Sequence, residues 1–313
     1  MGAQIYLTHP YSQRDHELRG GSVPRNVSMA DFFCGDVVDG SLIMVLKGYF
    51  DDSGDDKKKR FASVGGLVGY PVQWSLFDKA WDVATYILPE PFHATDCEAQ
   101  RGCCEGWTVQ QTAGLMRILT QIIATTHLGS FGAVVPIVEY RAVFPGSDKY
   151  DPYFLALKQT IINMAYVCRL SARSGADDSV TICHEDGETS PQAFQIYHDL
   201  KSVPGWSDSK YLVGFSVGDK RLTGLQGADL IAREAFKHAD NLGIRNTRKP
   251  VLGIKQGASF HLWTRESLEY LKSKGGPTNL EALASWGQRG ETVPQMFHWF
   301  GDKFLKRVRP EVL

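Results

Sequence analysis

The spacing of apolar residues from position 44 onward predicts alternating strands and helices. Residues 45–51 and 61–68 are typical of β-strands and flank a turn-forming cluster, so they predict a hairpin. Trp74, Phe77 and Trp81 then recur at helical spacing, and Thr108 precedes a second helical stripe. Further strands are predicted at residues 131–138, 179–183 and 211–217, with helices at residues 151–168, from residue 190, and at residues 222–238.

The order of these elements predicts the fold class. If residues 71–127 are treated as a helical insertion after the second strand, the remaining order is that of a ribonuclease-H-like fold. The expected architecture is therefore α/β, with a mixed five-stranded sheet flanked by helices.

Three segments are predicted along the chain. Residues 1–43 mix polar residues, glycine and proline without a clear period, which indicates a disordered tail or an over-extended start before a true initiator at Met44. Residues 44–240 form the predicted ribonuclease-H-like domain. Residues 241–313 form a predicted helical extension.

Composition and targeting signals favour a cytoplasmic protein. The chain has no apolar run of about 18 residues and no basic start followed by an apolar core, so we expect neither a membrane span nor a signal peptide. Its 6 cysteines show no framework spacing, which predicts reduced thiols. These features carry no information about oligomeric state.

Charge is unevenly distributed. Residues 220–313 hold 16 Lys and Arg against 9 Asp and Glu, although the net charge of the whole chain is only −1. This asymmetry predicts a basic surface for a phosphate backbone, and an ordinary solvated surface is the alternative. The basic residues expected to contact nucleic acid include Lys303, Lys306, Arg307 and Arg309.

Two acidic clusters end predicted strands. Asp51 and Asp52 lie in YFDDSGDD at 49–56, where crowded carboxylates require a cation, a helix N-terminus or solvent. Glu185 and Asp186 end the fourth strand, which neighbours the first in the expected fold. Strand alternation favours Glu185 as the residue that reaches Asp51. Exposed turns are the alternative for both clusters.

Asp229 interrupts the apolar stripe of a predicted helix. Leu225 and Ala232 lie one turn before and after it on the same face. A buried carboxylate costs several kcal/mol unless it is paired or bound to metal. We therefore expect Asp229 to point into a functional site, with Gln226 in support, and an ion pair with Arg233 is the alternative.

A loop cluster, PFHATDCEAQ at 91–100, supplies further polar candidates. His93 is expected to bind a phosphate or shuttle a proton, and Asp96 to support it. His93 with Cys97, Cys103 and Cys104 offers zinc as a competing interpretation. The spacing is not a Cys-x-x-Cys pair and adjacent cysteines are poor ligands for one ion, so no zinc is expected.

Carboxylates from two strand ends and one helix suit Mg²⁺ or Mn²⁺, which prefer oxygen ligands. Asp51, Glu185 and Asp229 are the predicted ligands, while Asp52 and Asp186 lie beside them. Two such ions can activate water and stabilise the leaving oxygen in phosphodiester cleavage.

Four short motifs resemble the domain-of-unknown-function 3800 family. They are YFDDSGD at 49–55, FHATD at 92–96, CHEDGE at 183–188 and LQGADLIA at 225–232. The resemblance covers residues 44–240 and implies a ribonuclease-H- or integrase-like protein, with Asp51, Glu185 and Asp229 as metal ligands and His93 and Asp96 nearby.

The sequence thus predicts a metal-dependent nuclease. The alternative is a non-catalytic binding module that keeps the fold and uses its acids for structure or for a partner. The choice between DNA and RNA, and between endonuclease and exonuclease activity, is left open.

Overall fold

A computed structural model describes residues 45–54, 60–172, 178–242, 250, 254 and 258–289. It contains a six-stranded mixed sheet in the order β5-β4-β1-β2-β3-β6. The strands are β1 (Val45–Gly54), β2 (Phe61–Gly69), β3 (Gly129–Pro136), β4 (Ser179–Glu185), β5 (Leu212–Gly218) and β6 (Ala258–Leu262).

Helices flank this sheet. Three helices, α1 (Pro71–Thr85), α2 (Ala94–Glu98) and α3 (Val109–Thr125), lie between β2 and β3 in the chain. The others are α4 (Ile137–Val143), α5 (Asp151–Ala172), α6 (Ser190–Lys201), α7 (Thr223–Asn241), α8 (Arg265–Ser273) and α9 (Leu280–Arg289).

Strand direction places several strand ends together. β2 is antiparallel to both β1 and β3, whereas β1, β4 and β5 are parallel to one another. The register pairs Tyr49 with Cys183 and Phe50 with His184, so Asp51 and Glu185 are the next residues of their strands. Glu185 is also paired with Gly218 at the end of β5. One edge of the sheet therefore gathers the carboxyl ends of three strands.

Helices pack against both faces of the sheet. One core includes Leu46 and Phe50 of β1 with residues of α5, and it extends to Leu268 and Leu283 of α8 and α9. The other core joins residues of α1, α3 and α7, including Trp81. Burial of apolar surface against both faces stabilises the helix–sheet–helix arrangement.

Helix α7 approaches the sheet unusually closely. A Cβ atom added to Gly65 of β2 would lie 2.3 Å from the backbone nitrogen of Ala232. A Cβ on Gly224 would lie 2.5 Å from the Tyr49 ring. Because these two positions have no side chain, α7 rests directly on β1 and β2 and can bring Asp229 to the sheet edge.

The structure corrects part of the predicted architecture. The sheet has six strands instead of five, because β6 pairs in parallel with the edge strand β3. The third strand ends at Pro136, which lacks an N–H, and the residues after it form α4. Residues 94–98, expected in a loop, form the short helix α2.

Other predictions fall outside what the structure describes. Residues 1–43 and the basic residues Lys303, Lys306, Arg307 and Arg309 lie beyond the described residues. Among the described helices, none combines the length and apolar character needed to cross a membrane.

Candidate functional site

Three carboxylates converge on one cationic atom at the sheet edge. The Nζ atom of Lys220 donates a short hydrogen bond to Oδ2 of Asp51 and lies 3.3 Å from Oε2 of Glu185. The same Nζ lies 3.6 Å from Oδ2 of Asp229. The sequence predicts that these three acids meet, but it carries no signal that points to Lys220.

Strand alternation explains how Asp51 and Glu185 reach this point. Asp51 shares a face of β1 with Tyr49, which packs against the α1 and α7 side of the sheet. Glu185 shares the corresponding face of β4 with Cys183, the partner of Tyr49 in the strand register. The side chain of Asp51 is only 2% exposed, whereas that of Glu185 is 27% exposed.

Asp229 is held in place by a neighbouring backbone group. Its side chain is 2% exposed, and its Oδ2 accepts a 2.7 Å hydrogen bond from the backbone N–H of Ala94. The interruption of the apolar stripe therefore correctly indicated an inward-facing carboxylate. The cation at Asp229 is Lys220 instead of the Arg233 considered above, because Arg233 donates to Glu98 at 2.6 and 2.9 Å.

Gln226 fixes the backbone around the site. Its side-chain N–H donates to the carbonyl of Lys220 at 2.8 Å. Its Oε1 accepts from Trp81 Nε1 at 2.9 Å and from the backbone N–H of Phe92 at 3.3 Å. One amide thus connects the Lys220 loop, α1 and the segment before His93. The Lys220 loop and the segment that leads to His93 both carry residues of the site.

The ionisation of the site follows from burial and mutual contact. Burial acts to raise the pKa of Asp51, but the Lys220 ammonium and hydrogen bonds from Glu185, Lys220 and the Asp52 amide outweigh it and lower the pKa. Burial, the hydrogen bond to Asp51 and the Asp51 charge raise the pKa of Glu185 to about 9. Glu185 is therefore the acid that keeps a proton at neutral pH.

The pKa values of Asp229 and Lys220 are also raised. Burial raises the pKa of Asp229, and the nearby Asp51 charge raises it further, whereas the Lys220 charge opposes both. Burial acts to lower the pKa of Lys220, but the carboxylates of Asp51, Asp229 and Glu185 raise it well above its usual range. The lysine is thus a permanent positive charge among these acids.

His93 and Asp96 lie beside the three carboxylates. The Nδ1 atom of His93 is 2.8 Å from Oδ2 of Asp96, and its Nε2 is 3.9 Å from Oδ2 of Asp229. The imidazole is 42% exposed, so it is open to solvent at the rim. The structure therefore brings both residues of the loop cluster to the site.

Among the described residues, the acids whose oxygens lie within 4 Å of Lys220 Nζ are Asp51, Glu185 and Asp229, and neither Asp52 nor Asp186 does so. Both line a neighbouring cavity of about 160 Å³, together with Tyr150, Glu185 and Thr189. Asp52 points to the α5 face of β1, opposite to Asp51, because successive strand residues alternate. Asp186 is exposed beyond the end of β4.

A buried pair that the sequence analysis missed lies under this cavity. The hydroxyl of Tyr153 is 2.6 Å from Nε2 of His184, and Nδ1 of His184 is 2.6 Å from the carbonyl of Glu185. A ring that donates to a carbonyl through Nδ1 accepts from the tyrosine at Nε2. His184 shares the buried face of β4 with Val180 and Ile182, and this period-two alternation with apolar residues was the signal available in the sequence.

The cysteines near His93 are not arranged as a zinc site. Cys97 and Cys104 are joined by a disulfide that closes a loop with a sequence separation of 7, so the expectation of reduced thiols is wrong for this pair. Cys103 is a buried free thiol that accepts from the His93 backbone N–H at 3.5 Å.

Across the described residues, no group of three or more His, Cys, Asp or Glu side chains is arranged to hold a metal ion as the side chains stand. The ammonium of Lys220 lies between the three carboxylates and takes the contacts that a cation would use. The donor set itself is all oxygen, as Mg²⁺ and Mn²⁺ prefer. The residues therefore fit a small divalent cation provided that Lys220 moves aside.

Comparison of the chain with protein-family models, with curated proteins and with solved structures finds no match.

Proposed function

We propose that this chain is a metal-dependent phosphodiester hydrolase that acts on nucleic acid. The observation that carries the proposal is the convergence of Asp51, Glu185 and Asp229 on the Lys220 ammonium. Burying carboxyl groups from β1, β4 and α7 around one ammonium costs free energy, and such clusters are typical of functional sites.

Asp51, Glu185 and Asp229 would hold Mg²⁺ or Mn²⁺ in this proposal. When bound, such ions supply an activated water and stabilise the leaving oxygen of a phosphodiester. The protein's own contribution is positional. The Ala94 N–H fixes one oxygen of Asp229, and the Asp52 N–H donates to Oδ1 of Asp51 at 2.7 Å.

His93 has the position of a group that meets the substrate. Asp96 binds its Nδ1, which leaves the exposed Nε2 directed toward Asp229 and the solvent. From there the imidazole can orient a phosphate oxygen or a water molecule by hydrogen bonding. Nucleic acid as the substrate also accords with the excess of Lys and Arg after residue 219.

Two further features support a ribonuclease-H-like interpretation. The order β5-β4-β1-β2-β3, with β2 antiparallel to its neighbours, is the arrangement that the predicted fold requires. In this interpretation β6 and the helices between β2 and β3 are additions to a common centre. The four motifs that resemble the domain-of-unknown-function 3800 family include the three proposed ligands. A cytoplasmic location is part of the same proposal.

One observation favours a non-catalytic module as the second candidate. Lys220 already pairs with all three carboxylates, so the acids are compensated without any metal. In that case they would stabilise the sheet edge, and the chain would act through a protein or nucleic-acid partner. The two candidates differ in whether Mn²⁺ binds at all.

The test is a cleavage panel on the full chain. Labelled single- and double-stranded DNA and RNA are incubated with Mg²⁺, Mn²⁺ or EDTA. We expect metal-dependent cleavage of at least one substrate and a loss of at least about 100-fold in Asp51→Asn, equivalent to about 2.7 kcal/mol of barrier. Asp199→Asn on α6 is the matched control, because this exposed acid lies away from the site.

A second measurement separates the two candidate functions. Mn²⁺ should raise the melting temperature of the wild type and not of Asp229→Asn, because ligand binding stabilises the folded state by mass action. Equal shifts in both proteins, or cleavage that persists unchanged in Asp51→Asn, would contradict the proposed centre.

A further inference from the structure

We propose that the Lys220 ammonium and a divalent metal ion are alternative occupants of the same carboxylate site, and that the displaced ammonium then contacts the phosphate of the substrate. The inference rests on the proposed function and deepens it by assigning a role to Lys220. Lys220 is not part of any motif in the sequence analysis, and its role follows from its position among the three carboxylates.

The contacts of Lys220 make simultaneous occupation impossible. Its Nζ donates to Oδ2 of Asp51 and lies 3.3 Å from Oε2 of Glu185 and 3.6 Å from Oδ2 of Asp229. A magnesium ion binds carboxylate oxygens at about 2.1 Å. An ion held by these same three oxygens would lie almost in contact with the ammonium. Two cations at that distance repel strongly, so one must leave.

The Lys220 backbone is held by bonds that do not involve its ammonium group. Gln226 donates to the Lys220 carbonyl at 2.8 Å, and the Leu222 N–H donates to the Asp219 carbonyl at 3.0 Å. Arg221 further binds Asp219 through its side chain at 2.6 to 3.1 Å. Displacement is therefore a rotation of the four-carbon stem, with no need for the loop to move.

A fixed backbone also determines where the displaced ammonium goes. The Lys220 side chain is 20% exposed, so one side of it already faces solvent. A lysine stem that rotates from this anchor keeps its charge at the rim, near the exposed His93. A compact ammonium on a flexible stem is a common phosphate ligand. The same residue thus serves as counter-ion before metal binding and as substrate contact afterwards.

The first experiment measures the Mn²⁺ dissociation constant by electron paramagnetic resonance on the full chain. We expect Lys220→Met to bind Mn²⁺ at least tenfold more tightly than the wild type, because no ammonium competes. Lys201→Met removes the same charge from the exposed end of α6 and should stay within twofold of the wild type.

The second experiment tests the phosphate contact. A fluorescein-labelled 12-nucleotide single strand is titrated into each protein with Ca²⁺ in place of Mn²⁺. Lys220→Met should bind this probe at least fivefold more weakly than the wild type, although it binds metal more tightly. Equal probe binding would overturn the assignment of Lys220 as a substrate contact.

A measurement on the wild type avoids dependence on the folding of a variant. Reductive methylation followed by peptide mass spectrometry compares Lys220 with the exposed Lys79 as an internal reference. Saturating Mg²⁺ should increase the relative labelling of Lys220 at least threefold, since the ammonium leaves the buried carboxylates. Unchanged labelling would overturn the alternation.

The outcomes separate this inference from the proposed function. Mn²⁺ binding with equal affinity in the wild type and Lys220→Met refutes the alternation and leaves the metal-dependent function standing. Mn²⁺ binding by neither protein refutes both. If Lys220→Met binds Mn²⁺ and the wild type does not, the lysine never leaves the carboxylates. That result would refute both the alternation and the metal-dependent function for the native chain.

Discussion

The backbone N–H of Ala94 donates a 2.7 Å hydrogen bond to Oδ2 of Asp229, across 135 residues of sequence. This bond joins the start of α2 to the middle of α7. It occupies one oxygen of a buried carboxylate and ties α2 to α7. Ala94 itself is fully buried, so its N–H has no access to water.

Asp229→Ala is expected to destabilise the protein more than Asp229→Asn. Alanine leaves the buried Ala94 N–H without an acceptor, which costs about 1–3 kcal/mol, whereas the asparagine carbonyl still accepts. Urea denaturation of both variants in EDTA measures the difference. Equal unfolding free energies would show that the Ala94 bond contributes nothing to stability.

Glu185 is expected to make stability fall as pH rises. Its pKa is about 9 in the folded chain against an ordinary value of 4.5. Between these values the folded state keeps a proton that the unfolded state has released, so its stability decreases as pH increases toward 9.

Glu185→Gln tests this dependence because the amide has no proton to release. The unfolding free energy of the variant should rise relative to the wild type from pH 5 to pH 8, both measured by urea denaturation without metal. A difference that stays constant over this range would contradict the raised pKa.

Gly65→Ala is expected to force α7 off the sheet. The added Cβ would lie 2.3 Å from the Ala232 nitrogen, which is backbone and cannot rotate away. We expect a loss of about 3 kcal/mol and a weaker Mn²⁺-induced melting shift, because Asp229 moves with the helix.

Gly114→Ala provides the matched control for this substitution. Gly114 lies within α3, and an added Cβ meets nothing within 4 Å. Alanine loses less backbone freedom than glycine when the helix folds, so the substitution should raise stability by about 1 kcal/mol. Differential scanning calorimetry on both variants should therefore give shifts of opposite sign, and a loss in Gly114→Ala would weaken the steric explanation.

The Cys97–Cys104 disulfide is expected to stabilise the fold by closing residues 97–104, the segment that follows His93. With a sequence separation of 7, loop-closure entropy gives a contribution of about 2 kcal/mol. Cys104→Ser should lose this amount in thermal denaturation. A phosphine reductant should destabilise the wild type equally and leave Cys104→Ser unchanged, and a reductant effect on both would point to another cause.

The acids of the site were predictable because each leaves a local signature. Asp51 follows an apolar strand pattern, Glu185 ends another strand, and Asp229 breaks an apolar helical face. Lys220 leaves no such signature, because a lysine after Gly218 and Asp219 is ordinary loop chemistry. The role of Lys220 depends on how close its loop lies to Asp51 of β1 and Glu185 of β4, and tertiary packing sets that distance.

The elements missed in the fold have a similar origin. β6 is only five residues long and becomes a strand by pairing with the free edge of β3. The disulfide between Cys97 and Cys104 depends on α2 bringing the two residues together, which cysteine spacing alone did not indicate. The hairpin and α7 were predicted within a few residues, since long periodic segments carry their own signal.

The alternation of side chains in β1 makes strand length decisive for the site. Asp51 faces Lys220 while Asp52 faces the cavity on the other side of the sheet. A one-residue insertion or deletion before Asp51 that preserved pairing with β4 would exchange the two faces. Because the residue after Asp51 is also an aspartate, a deletion of this kind would still deliver a carboxylate to Lys220, whereas an insertion would deliver Phe50.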